Sequence, residues 1–170
     1  FSPDTQAYHS VLLKHSEKIL QTTKDRLKAA CNETEPQPII DIIASCGEFG
    51  ESVGEELKAA ETKLTEIYSG VKSKLESAAS ASDMSLKEIE ATLKEYEHYP
   101  KEIRKERDAL RTKFIIQSAK VVEEINGGLR SQDIEEVDKL VETHSDSGSR
   151  TVPALEVLQE HREDLVKTMA

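Results

Sequence analysis

Residues 85–128 read SLKEIEATLKEYEHYPKEIRKERDALRTKFIIQSAKVVEEINGG and contain two helical patterns joined at a corner. The first pattern begins at a capping box, because Ser85 and Glu88 lie three residues apart and each can bond a free amide of the first helical turn. Apolar residues then recur with the period of one helix face. They are Leu86, Ile89, Leu93 and Tyr96. The stretch is therefore predicted to open with a short amphipathic helix.

The corner at residues 96–100 ends with Pro100, which lacks an amide hydrogen and suits the first turn of a new helix. The apolar stripe of that helix consists of Ile103, Leu110, Phe114, Val121 and Ile125. The pattern stops at the Asn-Gly-Gly sequence of residues 126–128, which is a typical helix end. We therefore predict a short helix turned back onto a long one, with Tyr96 packed in the corner and His98 exposed.

The same pairing is predicted before this stretch. A first helix opens with Ser-Pro-Asp at residues 2–4, runs to about Ala30 and has one apolar face. That face carries Tyr8, Leu12, His15 and Ile19. A polar stretch with two prolines, residues 32–38, separates it from the next elements. These are predicted to be a short helix with apolar residues over 39–49 and a long helix with its apolar stripe over 53–78.

A third pair of helices is predicted after residues 85–128. Either Ser131 or Asp133 caps a short helix over residues 134–144. A polar loop of residues 145–150 leads to the last helix, whose apolar residues are Leu155, Leu158, Leu165 and Met169. The chain thus has seven predicted helices.

The helix pairs form an internal repeat when their apolar residues are superposed. The short helices align without a gap, and their last column contains Phe49, Tyr96 and His144. The long helices align on Val53, Ile103 and Leu158. In this alignment the turn between the helices lengthens from copy to copy, since it spans 50–52, then 97–102, then 145–157. The first helix is then the second half of a further copy.

We predict an all-α fold of stacked antiparallel helix pairs, as an α-solenoid or an elongated helical bundle. Such a pair cannot bury its apolar stripe alone and must stack on its neighbours. The whole chain, 1–170, is then one helical-repeat domain, with a half unit at 1–35 and full units at 36–82, 83–130 and 131–170. An irregular bundle of the same seven helices is the alternative.

The composition disfavours several classes of protein. The formal net charge is −10, and 33% of the residues are charged, which disfavours nucleic-acid binding because such proteins cluster phosphate-neutralising Lys and Arg. No run of apolar residues is long enough to predict a transmembrane segment. Two cysteines are too few for a disulfide framework and favour a reducing compartment. Because the sequence begins with Phe1 rather than Met, we expect it to be a fragment of a longer protein.

No catalytic, cofactor or metal site is predicted. The five histidines never occur as an i, i+4 pair with a third ligand nearby. They are His9, His15, His98, His144 and His161. The glycines near residue 50 lack the Gly-Lys-Ser/Thr sequence of a phosphate-binding loop. We therefore predict that the chain is not an enzyme.

One stretch, residues 101–113, is locally basic, with six basic residues against three acidic ones. Four of them are predicted to form a ridge that binds an acidic partner such as a tubulin tail or an anionic membrane: Lys101, Arg104, Lys105 and Arg111. An exposed face neutralised by its own ion pairs is the alternative. Arg107 and Arg162 share a repeat column in the alignment, and each is predicted to pack its stem and to pair its head with a carboxylate.

The pattern I-x3-L-x2-Y-x3-P-x2-I-x2-ER-x2-L at residues 89–110 resembles the degenerate helix-pair repeats of large cytoplasmic proteins of algae and other protists. The resemblance covers about two-thirds of the chain and implies no shared chemistry. We therefore expect a non-enzymatic scaffold or spacer that binds other proteins in a larger cytoplasmic assembly. The alternative is a helical bundle that binds the cytoskeleton or a membrane surface through the ridge.

Overall fold

The computed structural model describes residues 3–47 and 49–169, which form seven α-helices and contain no strand. The helices are α1 (Pro3–Ala30), α2 (Pro36–Ser45), α3 (Gly54–Ser80), α4 (Leu86–Glu95), α5 (Arg104–Gly128), α6 (Ile134–His144) and α7 (Val152–Met169). Short 3-10 turns at Gly50–Val53 and Lys101–Ile103 precede α3 and α5. The all-α prediction is confirmed, and short helices alternate with long ones as expected.

The chain divides into two compact units, Phe1–Val71 and Lys72–Ala170, with the boundary inside α3. In the first unit, the core brings together the end of α1, the apolar face of α2 and the start of α3. Leu27, Ile39 and Val53 are fully buried there. Pro36 is the first residue of α2. Proline suits this position because an amide hydrogen in the first helical turn would have no partner within the helix, so its absence breaks no hydrogen bond.

In the second unit, α5, α6 and α7 pack around Ile125, Val137 and Leu158, all of them fully buried. Gly128 at the end of α5 faces leucines of both α6 and α7. A Cβ atom there would lie 2.6 Å from Leu140 Cδ1 and 3.1 Å from Leu158 Cδ1. The absence of a side chain at this position thus lets the α6 and α7 leucines pack onto the helix end.

The capping box predicted for α4 is present. The Ser85 hydroxyl accepts from the Glu88 amide at 3.2 Å, and the Ser85 amide donates to Glu88 Oε2 at 2.8 Å. These hydrogen bonds from Ser85 lower the pKa of Glu88 below its ordinary value. For α6, the cap is Asp133, whose carboxylate accepts from the Glu135 amide at 3.0 Å, so the second of the two predicted residues is the correct one.

The corner after α4 is closed by Tyr96, which is 4% exposed. Its ring meets that of Tyr99 edge-on, with centroids 5.2 Å apart, and its hydroxyl lies 3.4 Å from Lys74 Nζ of α3. His98 is exposed. The predicted roles of Tyr96 and His98 are both confirmed. At the corner after α6, buried His144 reaches back in the same way, with its Nε2 atom 3.2 Å from Glu124 Oε2 of α5.

The helix boundaries recur at nearly constant spacing. The starts of α2 and α4 are as far apart in the sequence as the starts of α3 and α5. The start of α6 follows that of α4 at nearly the same distance along the chain. Turn hydrogen bonds recur as well: the amides of Tyr99 and Ile103 donate to carbonyls three residues earlier, and so do those of Ser147 and Thr151. The corners after α4 and α6 are therefore closed by main-chain hydrogen bonds at equivalent positions.

These boundaries correct the sequence alignment. Cys46 rather than Phe49 corresponds to Tyr96, because Cys46 is the residue that caps α2 and is 1% exposed. Thr151 rather than Leu158 corresponds to Ile103, since both follow the buried corner residue at the same distance. The turn therefore keeps its length, and the predicted lengthening from copy to copy is wrong. Matching by hydrophobicity chose the larger apolar residues Phe49 and Leu158 for these columns, since Cys46 is small and Thr151 is polar.

The loop before α7 is tied to α4. Glu90 accepts hydrogen bonds from the Ser149 amide at 3.0 Å and from the Ser149 hydroxyl, and Lys87 Nζ lies 2.8 Å from Asp146 Oδ1. The hydrogen bonds from Ser149 lower the pKa of Glu90 below its ordinary value of 4.5. The ionised form of Glu90 therefore stabilises this contact.

We expect Gly128→Val to destabilise the fold by about 1–3 kcal/mol, because the added methyl groups must displace the leucines of α6 and α7. The matched substitution is Gly70→Ala in α3, where the glycine is exposed and an added Cβ meets nothing within 4 Å. It should stabilise by about 0.5–1 kcal/mol, because alanine loses less backbone entropy in a helix. Urea unfolding followed by circular dichroism measures both. Equal effects of the two substitutions would contradict the close packing at Gly128.

The second unit should lose stability as the pH falls below 4.5, the ordinary pKa of Glu90. Because the pKa of Glu90 is lower in the folded chain, its contribution is present above pH 4.5 and is lost as the pH falls through the folded pKa. Glu90→Gln should therefore melt below the unsubstituted chain at pH 7, with a gap that narrows toward pH 3. Ser149→Ala should give a smaller gap with the same trend. A gap independent of pH would show that Glu90 acts through packing alone.

Candidate functional site

The predicted basic ridge lies at the start of α5 and on the 3-10 turn before it. All four of its residues, Lys101, Arg104, Lys105 and Arg111, are exposed. Asp108 sits between two of them, with its carboxylate 3.5 Å from Arg104 Nε and 3.8 Å from Arg111 Nη1. The arginine side chains keep 71% and 58% of their surface exposed. Because one carboxylate faces two guanidinium groups, the ridge retains positive charge.

The ridge continues along α5 into exposed apolar residues. Arg111, Ile115 and Val122 follow at helical spacing, so they share one face of the helix. Ile115 and Ile116 are 44% and 52% exposed. We call this face the α5 stripe, which consists of Arg104, Lys105, Arg111, Ile115, Ile116, Ala119 and Val122.

The apolar part of the α5 stripe is concave. Ile115, Ala119 and Val122 line an open groove of about 210 Å³, with Arg150 of the loop before α7 beside them. A second groove of about 560 Å³ continues from Ala119 toward the end of α5, where Arg130 lines it. The stripe therefore has basic side chains at its start, an apolar centre and Arg150 beside that centre, whereas the second groove is lined by both Glu123 and Arg130. An apolar segment that carries negative charges matches that distribution.

Arg107, another basic residue of this stretch, faces the corner after α4 instead. Its Nη1 atom donates to three carbonyl oxygens, those of Glu97 at 2.9 Å and of Tyr96 and Tyr99 at 3.2 Å. Carbonyls at a helix end have no partner within their own helix, so this guanidinium caps α4 from outside. Arg107 therefore serves the fold.

Lys113 caps the preceding long helix in the same way. Its Nζ atom donates to the carbonyl of Ala78 at 2.6 Å and also to that of Ala81. His161, at the equivalent position of α7, places Nε2 3.0 Å from the carbonyl of Ser131, just after α5. Lys63 occupies this position in α3, so the same place on three long helices carries a nitrogen donor. Sequence reasoning missed this column because the alignment had the wrong register.

The predicted pairing with a carboxylate is correct for one of the two arginines. Arg162 pairs with the Asp138 carboxylate, which raises the pKa of the guanidinium. Arg107 bonds to carbonyls rather than to a carboxylate, because it lies over the end of α4. In the corrected register the two residues do not share a column, since Leu155 is the one that corresponds to Arg107.

The histidines are dispersed over the fold. His9, His15 and His98 are exposed, whereas His144 is buried and His161 is half-buried. No group of three or more His, Cys, Asp or Glu side chains that could hold a metal ion occurs in the part of the chain that the structure describes. Both cysteines are free thiols. Within residues 3–47 and 49–169, no helix is long and apolar enough to cross a membrane.

We expect Arg107→Met to destabilise the second unit by about 1.5–3 kcal/mol, because three carbonyls lose a charged donor. Arg104→Met is the matched control, since it removes the same charge from an exposed surface of the same helix, where ion pairs contribute at most about 1 kcal/mol. Thermal and urea unfolding measure the difference. If Arg104→Met and Arg107→Met lower the free energy of unfolding equally, the hydrogen bonds from Arg107 to the carbonyls add nothing to the effect of removing one positive charge.

Comparison of the chain with known protein families, with curated proteins and with solved structures finds no match.

Proposed function

We propose that the chain is a non-enzymatic scaffold or spacer that binds other proteins within a larger cytoplasmic assembly, and that one partner is an acidic amphipathic helix. The observation that carries the proposal is the α5 stripe, where basic and apolar side chains share one exposed helix face. Solvent-exposed isoleucines next to a shallow groove are typical of interaction surfaces. Helix-in-groove recognition uses such a surface, with anchors spaced by three or four residues.

The charge distribution supports an acidic partner. The chain carries a formal net charge of −10, yet Arg104, Lys105 and Arg111 give the start of α5 a local excess of positive charge. Such a patch attracts negative segments and repels other basic ones. Apolar contacts at Ile115 and Ile116 would then supply affinity that is less sensitive to salt.

Two further observations support the non-enzymatic role and the compartment. The nitrogen-bearing side chains of Arg107, Lys113 and His161 bond to main-chain carbonyls and thereby stabilise helix ends. Their positions are explained by the fold alone. Free thiols at Cys31 and Cys46 fit a reducing environment such as the cytoplasm.

A second candidate function is binding to an anionic membrane surface or to the acidic tails of a cytoskeletal filament. The exposure of Ile116, at 52%, favours it, because an apolar side chain beside basic residues can enter the interfacial region of a bilayer. The concave shape of the groove beside Ile115 favours the protein partner, since a bilayer offers no ridge to fill it.

The proposal is tested with a labelled designed peptide that carries leucines on one helix face and glutamates on the other. We expect fluorescence anisotropy to show binding that weakens with salt. The triple substitution Arg104→Glu, Lys105→Glu and Arg111→Glu should reduce affinity at least about tenfold, because three attractive contacts become repulsive. Ile116→Ser should reduce affinity while leaving the salt dependence unchanged.

A control variant with the same net charge reverses three exposed basic residues elsewhere: Arg26, Lys58 and Lys139. This control should bind the peptide with little change. Equal loss of affinity in both triple variants would show that only net charge matters and would overturn the proposed site.

Sedimentation with phosphatidylserine vesicles and with microtubules tests the second candidate function. Binding to either of these, but not to the peptide, would favour the second candidate function.

A further inference from the structure

The first half of α1 presents an uncovered apolar face. Tyr8, Val11 and Leu12 are 75%, 64% and 66% exposed, and Ile19 is 41% exposed. The last third of the same helix is packed, with Leu27 fully buried. The apolar face predicted from the sequence therefore exists, but its first half has no cover among the described residues.

The internal repeat identifies the place of α1 in the architecture. Leu27 of α1, Leu75 of α3 and Ile125 of α5 follow one another at nearly the spacing of the helix boundaries, and all three are fully buried. A small residue follows each of them three positions later: Ala30, Ala78 and Gly128. Thus α1 corresponds to the long helix of a helix pair.

The same register shows how α1 differs from the other long helices among the described residues. Leu12 corresponds to Ala60 of α3, Leu110 of α5 and Leu158 of α7, each of which is fully buried. In those three copies the preceding short helix packs on the long one: α2 shares a core with Ala60, α4 packs on α5, and α6 packs on α7. Within residues 3–47 and 49–169, no short helix precedes α1, and Leu12 is exposed.

A second set of equivalent residues in the repeat also indicates that the first half of α1 suits a short helix. His15 corresponds to Lys63, Lys113 and His161. Two of these, Lys113 and His161, donate to carbonyls just before the preceding short helix, those of Ala81 and Ser131, and Lys113 also donates to Ala78 in the last turn of α3. His15 is exposed and carries a nitrogen donor at the same place. The first half of α1 therefore has both the apolar anchor and the polar contact of the repeated interface.

We infer that the first half of α1 is a docking surface for a short amphipathic helix of the α2, α4 and α6 type. The occupant has apolar side chains at positions i, i+3, i+7 and i+10, as α4 and its cap have at Leu86, Ile89, Leu93 and Tyr96. These side chains cover Leu12, and a carbonyl of the segment before the helix accepts a hydrogen bond from His15. The inference is independent of the α5 stripe.

A second copy of the chain fits this surface less well. Each of the three short helices in the described residues already packs in its own core, with Ile39, Ile89 and Val137 fully buried. A second copy could offer its own α1 face, but not a free short helix. The repeated interface instead specifies a helix that is not yet engaged.

The inference is tested by placing the sequence of residues 81–98 directly before Phe1 in the full chain. In this variant the grafted α4 sequence stands at the same distance from Leu12 as α4 does from Leu110, because Thr5 corresponds to Ile103. Hydrogen–deuterium exchange is measured over residues 8–20, together with the melting temperature. We expect exchange to slow at least about tenfold and the melting temperature to rise, because a covered helix opens less often.

Two matched variants give this experiment its controls. In the first, the residues copied from Ile89 and Leu93 are serines, so that the graft has the same length without its apolar face. In the second, Leu12→Glu removes the anchor from α1 under an intact graft. Both should exchange at the rate of the chain without the graft. A grafted helix that folds without touching α1 would give no slowing in any variant, which would overturn the inference.

The ungrafted chain tests the other occupants. Exchange over residues 8–20 that slows with protein concentration, together with a dimer in light scattering that Leu12→Glu abolishes, would assign the face to a second copy. Slowing on addition of phosphatidylcholine vesicles would assign it to a membrane. Either result would overturn the inference. Because none of these measurements involves Arg104 or Ile116, failure here is distinguishable from failure of the α5 site.

Discussion

The carbonyl groups at helix ends are the constraint on which this fold depends. Each end leaves up to four carbonyls without a partner in its own helix, and a chain of short helices has many such ends. Here the following long helix supplies the donors: Arg107 at the end of α4, Lys113 after α3 and His161 after α5. The contacts tie these long helices to the elements before them. Packing and capping thus select the same arrangement.

That constraint also explains why only part of the basic stretch is exposed to solvent. Arg107 and Lys113 of α5 bond to backbone carbonyls, whereas Arg104 and Arg111 face solvent. One helix therefore uses basic residues for two purposes, to bond carbonyls and to face solvent. The apolar residues of the α5 stripe follow from neither purpose, since Ile115 and Ile116 are not needed for the core.

The helices were largely predictable from the sequence, whereas their register was not. Period and caps define α4 and α6, because Ser85 and Asp133 leave clear signals at helix starts. The register failed because burial at Cys46 and Thr151 depends on small size and on a hydroxyl bonded to the Gly148 carbonyl, not on hydrophobicity. The exposed ridge followed from helical spacing. The partners of Arg107 did not, since backbone carbonyls have no sequence signature.

The constant turn has a consequence for how such a chain can change in length. From the cap of α4 to the cap of α6, the chain passes through one short helix and one long helix, and both cap residues, Ser85 and Asp133, have an extended backbone. Loss or duplication of such a segment would join two helix starts that both follow an extended cap residue. Tandem duplication is therefore one way in which a chain of such helix pairs could lengthen.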